Sequence, residues 1–445
     1  QMYGLDFAGG GLRVLERLPH VRGVAHPDEP ARVRAVITSL RREIARRRGS
    51  FGDDSVDKPA NDPTLLVLID GLLPMTLFLE DLDGGEHHEA FLQAIGDGPT
   101  VGIHFVISTD QPQRIPMTIS NTVGERLVLP LPNQDAYYAA GVSVPGGRHP
   151  VGRAISSSLQ TEVQIAVATS DASQIETTYQ IGYISDLAAI LREQITEPVE
   201  PIRVLGNHVL PSMVMGSSLS EGVIPLGIDD VDLEPATVDF NRVPTLLIIG
   251  PDLSGRSNLL AWAGNALGAS VGGDVDTVLI SQRPSEEVHP NEWSKTYRHP
   301  MDAIEYLEQL AGRSPDRPPS SWTLIGLDDC DDLIESPIGG SVEERKDHGR
   351  YTEALDRIVR SARLNRYVVV ATGQFTALLR SQGWARRMLQ NEQAVILSPS
   401  SLASGHVDPR FNVRLPRRTD YKPMPGRGVL VRRSETSLIQ TVHVE

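Results

Sequence analysis

The run Gly250-Pro-Asp-Leu-Ser-Gly-Arg-Ser257 follows an apolar stretch, Leu246-Leu-Ile-Ile249, and precedes a helix-like segment, Asn258 to Leu267. Two glycines, a cation and a hydroxyl at this spacing suit a phosphate loop. The glycines let backbone N–H groups turn inward, the helix N-terminus adds positive potential, and the hydroxyl reaches a divalent cation. The cation is Arg256, a bulky planar fork where such loops carry a compact lysine. A second apolar strand, Trp322 to Leu327, ends in Asp328-Asp329, where a phosphate-loop ATPase places a Mg²⁺-organising Asp and then a water-positioning Glu. Asp329 is one methylene shorter than that Glu, so water held by it would sit off the line of attack. A third strand, Tyr367 to Ala371, ends in Thr372-Gly-Gln374, polar groups within reach of a terminal phosphate. The expected ATP-binding set is Gly250, Asp252, Ser254, Gly255, Arg256, Ser257, Asn258 and Gln374, with Ser257 and Asp328 on Mg²⁺. Binding with weak or absent hydrolysis follows, with Asp328 and Asp329 as a degenerate carboxylate pair and no competent catalytic residue.

Strands and helices alternate around these loops, which argues a mainly parallel, helix-covered sheet and an α/β fold. The expected order is strand Thr245–Ile249, the loop and its helix, strand Thr277–Ser281, helix Met301–Ala311, strand Trp322–Leu327, helix Tyr351–Asn365, strand Tyr367–Ala371 and helix Thr376–Asn391. The first half repeats the pattern. His26-Pro27 is answered by His299-Pro300, Phe105 to Gln111 by Val368 to Gln374, and Pro145 to Ala154 by Pro425 to Gly428. The copies lie about 270 residues apart, far beyond solenoid periods. Two tandem modules are therefore expected, 1–202 and 203–445, divided at the proline-fixed Glu197-Pro-Val-Glu-Pro-Ile202. On that spacing the counterpart of Gly250 falls before Gln1, so the first module is expected to lack its phosphate-loop segment. In that module helix Asp28–Arg48 precedes strand Leu65–Ile69, which ends in Asp70-Gly71 with no second carboxylate; Gly102–Ser108 follows, with Thr109 and Gln111 matching Thr372 and Gln374, and Gln160–Ala168 returns as a final strand before helix Ile184–Gln194.

The net charge of −15 and a pI near 5.3 disfavour wrapping of phosphate backbones by the surface as a whole, and with it nucleic acid as a partner. The single cysteine, Cys330, permits no intrachain disulfide and reads as a small buried residue. The most apolar run, Thr64 to Leu79, is broken by Asp70, Gly71 and Pro74, and is shorter than the roughly 20 residues a membrane span needs.

The order of apolar strand, phosphate loop, Asp-ended strand, Ala-Thr-x-Gln strand end and Pro-Gly-Arg-Gly return resembles the FtsK/SpoIIIE-type ATPases. Tyr3-Gly-Leu-Asp-Phe-Ala-Gly-Gly-Gly-Leu-Arg13 followed by Leu18-Pro-His-Val21 is most similar to the EccC-type ATPases of type VII secretion. The resemblance implies an α/β tandem of RecA-like P-loop NTPase modules, the last two modules of a motor. It places the loop positions on Gly250, Gly255, Arg256 and Ser257, and the Walker B carboxylate on Asp328 and, in the first copy, Asp70. It further implies substrate recognition, regulation and assembly roles, and a secreted helical-hairpin substrate presenting its C-terminal tail. An active upstream module on the same polypeptide, a homo-oligomer in the full protein, and a cytoplasmic location at the inner membrane face through upstream segments are implied as well. A double-stranded DNA translocase of the same fold, or a nucleotide-free structural coupling protein, are the alternatives. Within helix Thr376–Asn391, Leu378, Leu379, Gln382, Ala385, Arg386 and Leu389 form one stripe and Trp384 with Met388 a neighbouring one, so the second stripe is a candidate partner surface.

Overall fold

A computed structural model describes residues 1–49, 62–143, 150–171, 173–195, 197–216, 220–272, 275–281, 293–313, 321–331, 341–374, 383–403, 407–408, 411–433 and 435–444. The chain divides into two compact units, Gln1–Val204 and Leu205–Glu445. No helix among the described residues is long and apolar enough to cross a membrane.

The first unit holds β1 (Met2–Asp6), β2 (Val21–Ala25), α1 (Pro30–Gly49), β3 (Leu65–Asp70), α2 (Leu72–Asp81), α3 (Glu86–Asp97) and β4 (Ile103–Ile107). After these come α4 (Met117–Thr122), β5 (Leu127–Val128), α5 (Gln134–Ala139), β6 (Arg153–Ser156), β7 (Glu162–Gln164) and α6 (Thr177–Gln194). A parallel sheet runs in the order β2-β1-β3-β4, and a separate antiparallel sheet in the order β5-β6-β7. Leu65, Val67 and Ile69 alternate onto the face that packs against apolar side chains of α1, α2 and α3, such as Val36, Leu40, Met75 and Phe91. The sequence reading missed β1 and β2. Their period-2 signal is weakened by Gly4 and Gly23, and β1 is held centrally by β2 and β3 on either side. The strand expected over Gln160–Ala168 shrinks to β7.

The second unit opens with α7 (Pro211–Val214), β8 (Val223–Asp229), β9 (Pro235–Asp239) and β10 (Thr245–Ile249). Next are α8 (Arg256–Val271), β11 (Val275–Ser281), β12 (Lys295–Tyr297), α9 (Ile304–Ala311), β13 (Trp322–Asp328) and α10 (Val342–Ser361). β14 (Tyr367–Gly373), α11 (Gly383–Gln390), β15 (Gln393–Leu397), β16 (Val407–Asp408), β17 (Val413–Arg414), β18 (Arg427–Arg432) and β19 (Glu435–Thr441) complete it. Ten strands form one sheet, β12-β11-β13-β14-β10-β15-β18-β19-β8-β9, parallel as far as β15 and antiparallel beyond. β10, β13 and β14 are buried along their whole length, as continuous apolar runs covered on both faces should be. Leu259, Leu260, Ala263, Ala266 and Leu267 of α8 cover one face; α9, α10 and α11 cover the other. α10 begins earlier than its apolar pattern suggested, at a capping box: Glu344 N–H donates to Ser341 Oγ at 3.2 Å and Ser341 N–H to the Glu344 carboxylate at 2.7 Å. The Ser-Val-Glu-Glu signature was legible in the sequence.

The duplication is visible in matching devices. Gly152 and Gly426 have φ of 77° and 73°, left-handed values that suit glycine. The arginine after each glycine donates to a glutamine across its hairpin, Arg153 to Gln164 at 3.0 Å and Arg427 to Gln440 at 2.8 Å. Residues 144–149 of the first motif lie outside the described residues.

Candidate functional site

The loop between β10 and α8 is shaped by close approach. A Cβ on Gly250 would lie 2.5 Å from Ser254 Oγ and 2.9 Å from Leu397. Gly255 turns the chain with φ of 95° and starts α8. Gly426 N–H donates to the Ser254 carbonyl at 2.9 Å, so the Pro-Gly-Arg-Gly return braces the loop. Ser254 Oγ is buried with no hydrogen-bond partner among the described residues.

At the start of α8, Ser257 Oγ donates to both carboxylate oxygens of Asp328, at 3.1 and 3.2 Å. Thr372 Oγ1 donates to Asp328 at 2.7 Å and accepts from Asp329 N–H at 2.9 Å. Burial pushes the Asp328 carboxyl above the usual carboxylate range despite the hydroxyls of Thr372 and Ser257. A buried carboxylate beside a serine hydroxyl is an oxygen-only donor pair that suits Mg²⁺. A glycine-walled loop on a 16-residue helix suits phosphate.

Arg256 departs from what its position in the loop suggests. Its side chain is 9% exposed, and the guanidinium folds back onto its own loop. It donates to the Gly250 carbonyl, to Asp252 at 3.1 Å and to Asp329 at 2.8 Å. Asp329 has φ of 54°, a left-handed backbone that turns its carboxylate toward Arg256. The Asp252–Arg256–Asp329 grouping was not foreseen, because Asp329 is brought to the local Asp252–Arg256 pair by a neighbouring strand end.

Other expected roles shift. Thr372 is committed to Asp328 and Asp329, so its hydroxyl supports the carboxylate and is not left for a phosphate. Gln374 donates through Nε2 to Asp252 at 3.2 Å and through its backbone to Asp331, at 2.8 Å to one carboxylate oxygen. Asp331 thus holds a strand end; Asp332 lies outside the described residues. The Asn258 side chain does not face the loop: Nδ2 donates to the Val442 carbonyl and Oδ1 accepts from Val444 N–H, both at 2.9 Å. That leaves only its backbone for a phosphate role. Cys330 is buried, and burial pushes its thiol pKa up. Trp384 and Met388 are 1% and 0% exposed in the core with Tyr351 and Leu355, so the expected second stripe is core and not a partner surface. Leu378, Leu379 and Gln382 lie outside the described residues.

In the first unit Asp70 ends β3 as Asp328 ends β13, and Ser108 Oγ donates to its carboxylate. β4 pairs Ile107 with Ile69, and β14 pairs Ala371 with Leu327, so Ser108 stands where Thr372 stands. The expected match of Thr109 to Thr372 is therefore one residue out; Thr109 Oγ1 accepts from Gln111 N–H at 3.2 Å. Burial alone would raise Asp6, but backbone N–H groups of Leu12, Gly10, Gly9 and Ala8 hold it below the usual range. The glycine-rich opening motif is thus a carboxylate-wrapped turn.

The FtsK/SpoIIIE family signature matches residues 1–144. The chain is 28% identical over 280 residues to the ESX secretion system protein EccC of Thermomonospora curvata, covering 58% of this chain and 20% of that protein. It is 25% identical over 459 residues to the ESX-3 secretion system protein EccC3 of Mycobacterium tuberculosis, covering 93% of this chain and 33% of that one. The solved structure of Thermomonospora curvata EccC (ATPases 2 and 3) in complex with a signal sequence peptide aligns over 100% of this chain and 82% of its own. That alignment has a TM-score of 0.66 and 21% identity. The chain spans a third or less of the length of these two curated relatives.

Proposed function

Since the chain belongs to the FtsK/SpoIIIE-type ATPases as an EccC-like pair of type VII secretion modules, we propose that its second unit binds ATP and hydrolyses it weakly or not at all. The observation that carries this reading is the pairing of Ser257 Oγ with the buried Asp328 carboxylate at the mouth of the Gly250–Ser257 loop. When bound, Mg²⁺·ATP would supply a triphosphate whose charge the cation and loop amides neutralise. Ser257 and Asp328 would hold the cation, and the N–H groups of Ser254 to Ser257 the phosphates. Arg256 would have to exchange its carboxylate partners for phosphate. Asp329, tied to Arg256, is poorly placed to orient water, which favours a resident nucleotide over a turning-over one. Isothermal titration with ATP and Mg²⁺ tests this; no heat of binding at millimolar nucleotide, or none lost in Ser257→Ala, would overturn it.

We further propose that the modules serve recognition of a secreted substrate by binding an extended or helical signal peptide. Support comes from the peptide complex of the fold neighbour, transferred by architecture alone. The Trp384 and Met388 stripe of α11 is not the docking face, because both side chains are core. Fluorescence anisotropy of a labelled peptide from the C-terminal tail of a secreted helical hairpin measures this directly. An anisotropy indistinguishable from that of a scrambled peptide would remove the recognition role.

A further inference from the structure

The loop between β10 and α8 is gripped on both sides of its Gly255–Ser257 turn. Ahead of the turn, the Ser254 carbonyl accepts from Gly426 N–H at 2.9 Å. Behind it, Asn258 directs its carboxamide onto the segment that follows β19. Nδ2 donates to the Val442 carbonyl and Oδ1 accepts from Val444 N–H, both at 2.9 Å. A carboxamide suits this place because it carries a donor and an acceptor together; a carboxylate would lack the donor and an aliphatic side chain both.

The two grips are joined to each other. Thr441 N–H donates to the Gly426 carbonyl at 2.8 Å, and Gln440 Nε2 to the Pro425 carbonyl at 3.1 Å. The same strand ends hold the lead-in at the start of the second unit. Val209 forms a parallel bridge with Val442, and its carbonyl accepts from His443 N–H at 2.9 Å. The Arg427 guanidinium donates to the Gly206 carbonyl at 2.9 Å and to Asn207 Oδ1 at 3.3 Å, and the rings of His208 and His443 meet edge-on with centroids 6.5 Å apart. Val209 and Val442 are buried in the apolar core that also takes Leu226 and, from the first turns of α8, Leu259. One connected set of hydrogen bonds thus runs from the loop, through Asn258 and Gly426, to residues 206–209.

Phosphate binding would fix the N–H groups of Ser254 to Ser257. The Ser254 carbonyl and Asn258 lie at the two ends of that stretch, so whatever fixes the stretch also fixes the surfaces that the grips hold. A turn already held at both ends loses less conformational freedom when a ligand orders it. The dependence is reciprocal, since a binding coupling acts by the same factor in both directions.

We propose that residues 206–209 and 440–444 form a latch on the nucleotide loop, with Asn258 as its catch: an occupied loop tightens the latch, and a closed latch raises nucleotide affinity. The proposal rests on ATP binding at Gly250–Ser257. Asn258 acts as a positioning residue, through the turn and not by touching phosphate. Residues 206–209 directly follow the proline-fixed segment Glu197–Ile202, so a partner or load that lifts Val209 from Val442 lowers nucleotide affinity from outside the loop.

The amides of His443 and Val444 are donors in the latch and read it directly. In the full chain, saturating ATP with Mg²⁺ should slow their hydrogen exchange by about tenfold. Isothermal titration should show ATP affinity about tenfold weaker in Asn258→Ala and about threefold weaker in Arg427→Met, whose lost guanidinium touches the lead-in and Gln440 but no loop residue. Unchanged exchange of both amides in a chain that binds ATP, with equal affinity in both variants, would overturn the latch and leave the ATP-binding reading standing. No heat of binding in the unsubstituted chain would remove that reading and the latch with it. Slowed amides with equal affinities, or weakened affinities with unchanged amides, would break the required reciprocity and overturn the latch as well. If Asn258→Ala loses the protection of Thr245–Ile249, Arg427→Met carries the titration with the same outcomes.

Discussion

Asp329→Asn should tighten ATP binding, and the structure sets the size of the effect. Arg256 donates to Asp329 at 2.8 Å and to Asp252 at 3.1 Å, and must leave at least the first to meet a phosphate. The Asp329 side chain is 33% exposed, Asp252 74% exposed, and Arg256 9% exposed. Exposed ion pairs contribute about 0.2–1 kcal/mol; a pair with one buried partner belongs near the top, one with a largely exposed carboxylate near the bottom. Removing the Asp329 charge therefore saves about 1 kcal/mol on engagement, roughly a fivefold lower Kd. Loss of repulsion between Asp329 and phosphate acts in the same direction. Asp252→Asn should change Kd by less than about twofold by the same estimate. Isothermal titration at fixed Mg²⁺ measures both, and the Asp329 effect should shrink as added salt screens a partly exposed pair. Equal or weaker affinity in Asp329→Asn, or a larger gain in Asp252→Asn, would show that Arg256 is not restrained as described.

Asp328→Asn should abolish the Mg²⁺ dependence of ATP binding while raising stability at neutral pH. The folded carboxyl keeps its proton to higher pH than an ordinary aspartate, which titrates at 3.8, so stability falls as pH rises from that value through the raised one. Urea melts should show the gain of the variant at pH 7 shrinking toward pH 3.8, and a gain that grows on acidification would reverse the sign. Arg256→Lys combined with Asp329→Glu restores the phosphate-reaching cation and water-positioning carboxylate and should raise turnover about 10²-fold or more, read by phosphate release. Wild-type turnover already within about 1–100 s⁻¹ would contradict that. Val370→Ala should cost about 2 kcal/mol in denaturant unfolding by loss of two buried methyls. Its counterpart Val106→Ala should stay within about 0.5 kcal/mol, and equal costs would mean that the two faces are covered alike.

The sequence by itself determined the elements that depend on local pattern. The uninterrupted apolar runs of β10, β13 and β14 announce strands buried on both faces, and the Gly250–Ser257 spacing announces the turn and helix start after β10. The repeated Gly-Arg motif announced duplication, which recurs as twin left-handed glycines and twin Arg–Gln pairs. Tertiary structure decided the rest, because partners across strand ends are set by register and layer. Strand register, and not string matching, put Ser108 and not Thr109 against Asp70. Proximity of two loop ends gave Arg256 the Asp329 carboxylate in place of an open approach to phosphate. Helical periodicity could not tell that Trp384 and Met388 of α11 are buried, since that depends on the sheet below and on α10 beside it. Val106 and Val370 are the same residue at the same point of equivalent strands, yet only Val370 is covered. A side chain's type records its preference for burial, whereas its burial depends on which element the fold lays over it.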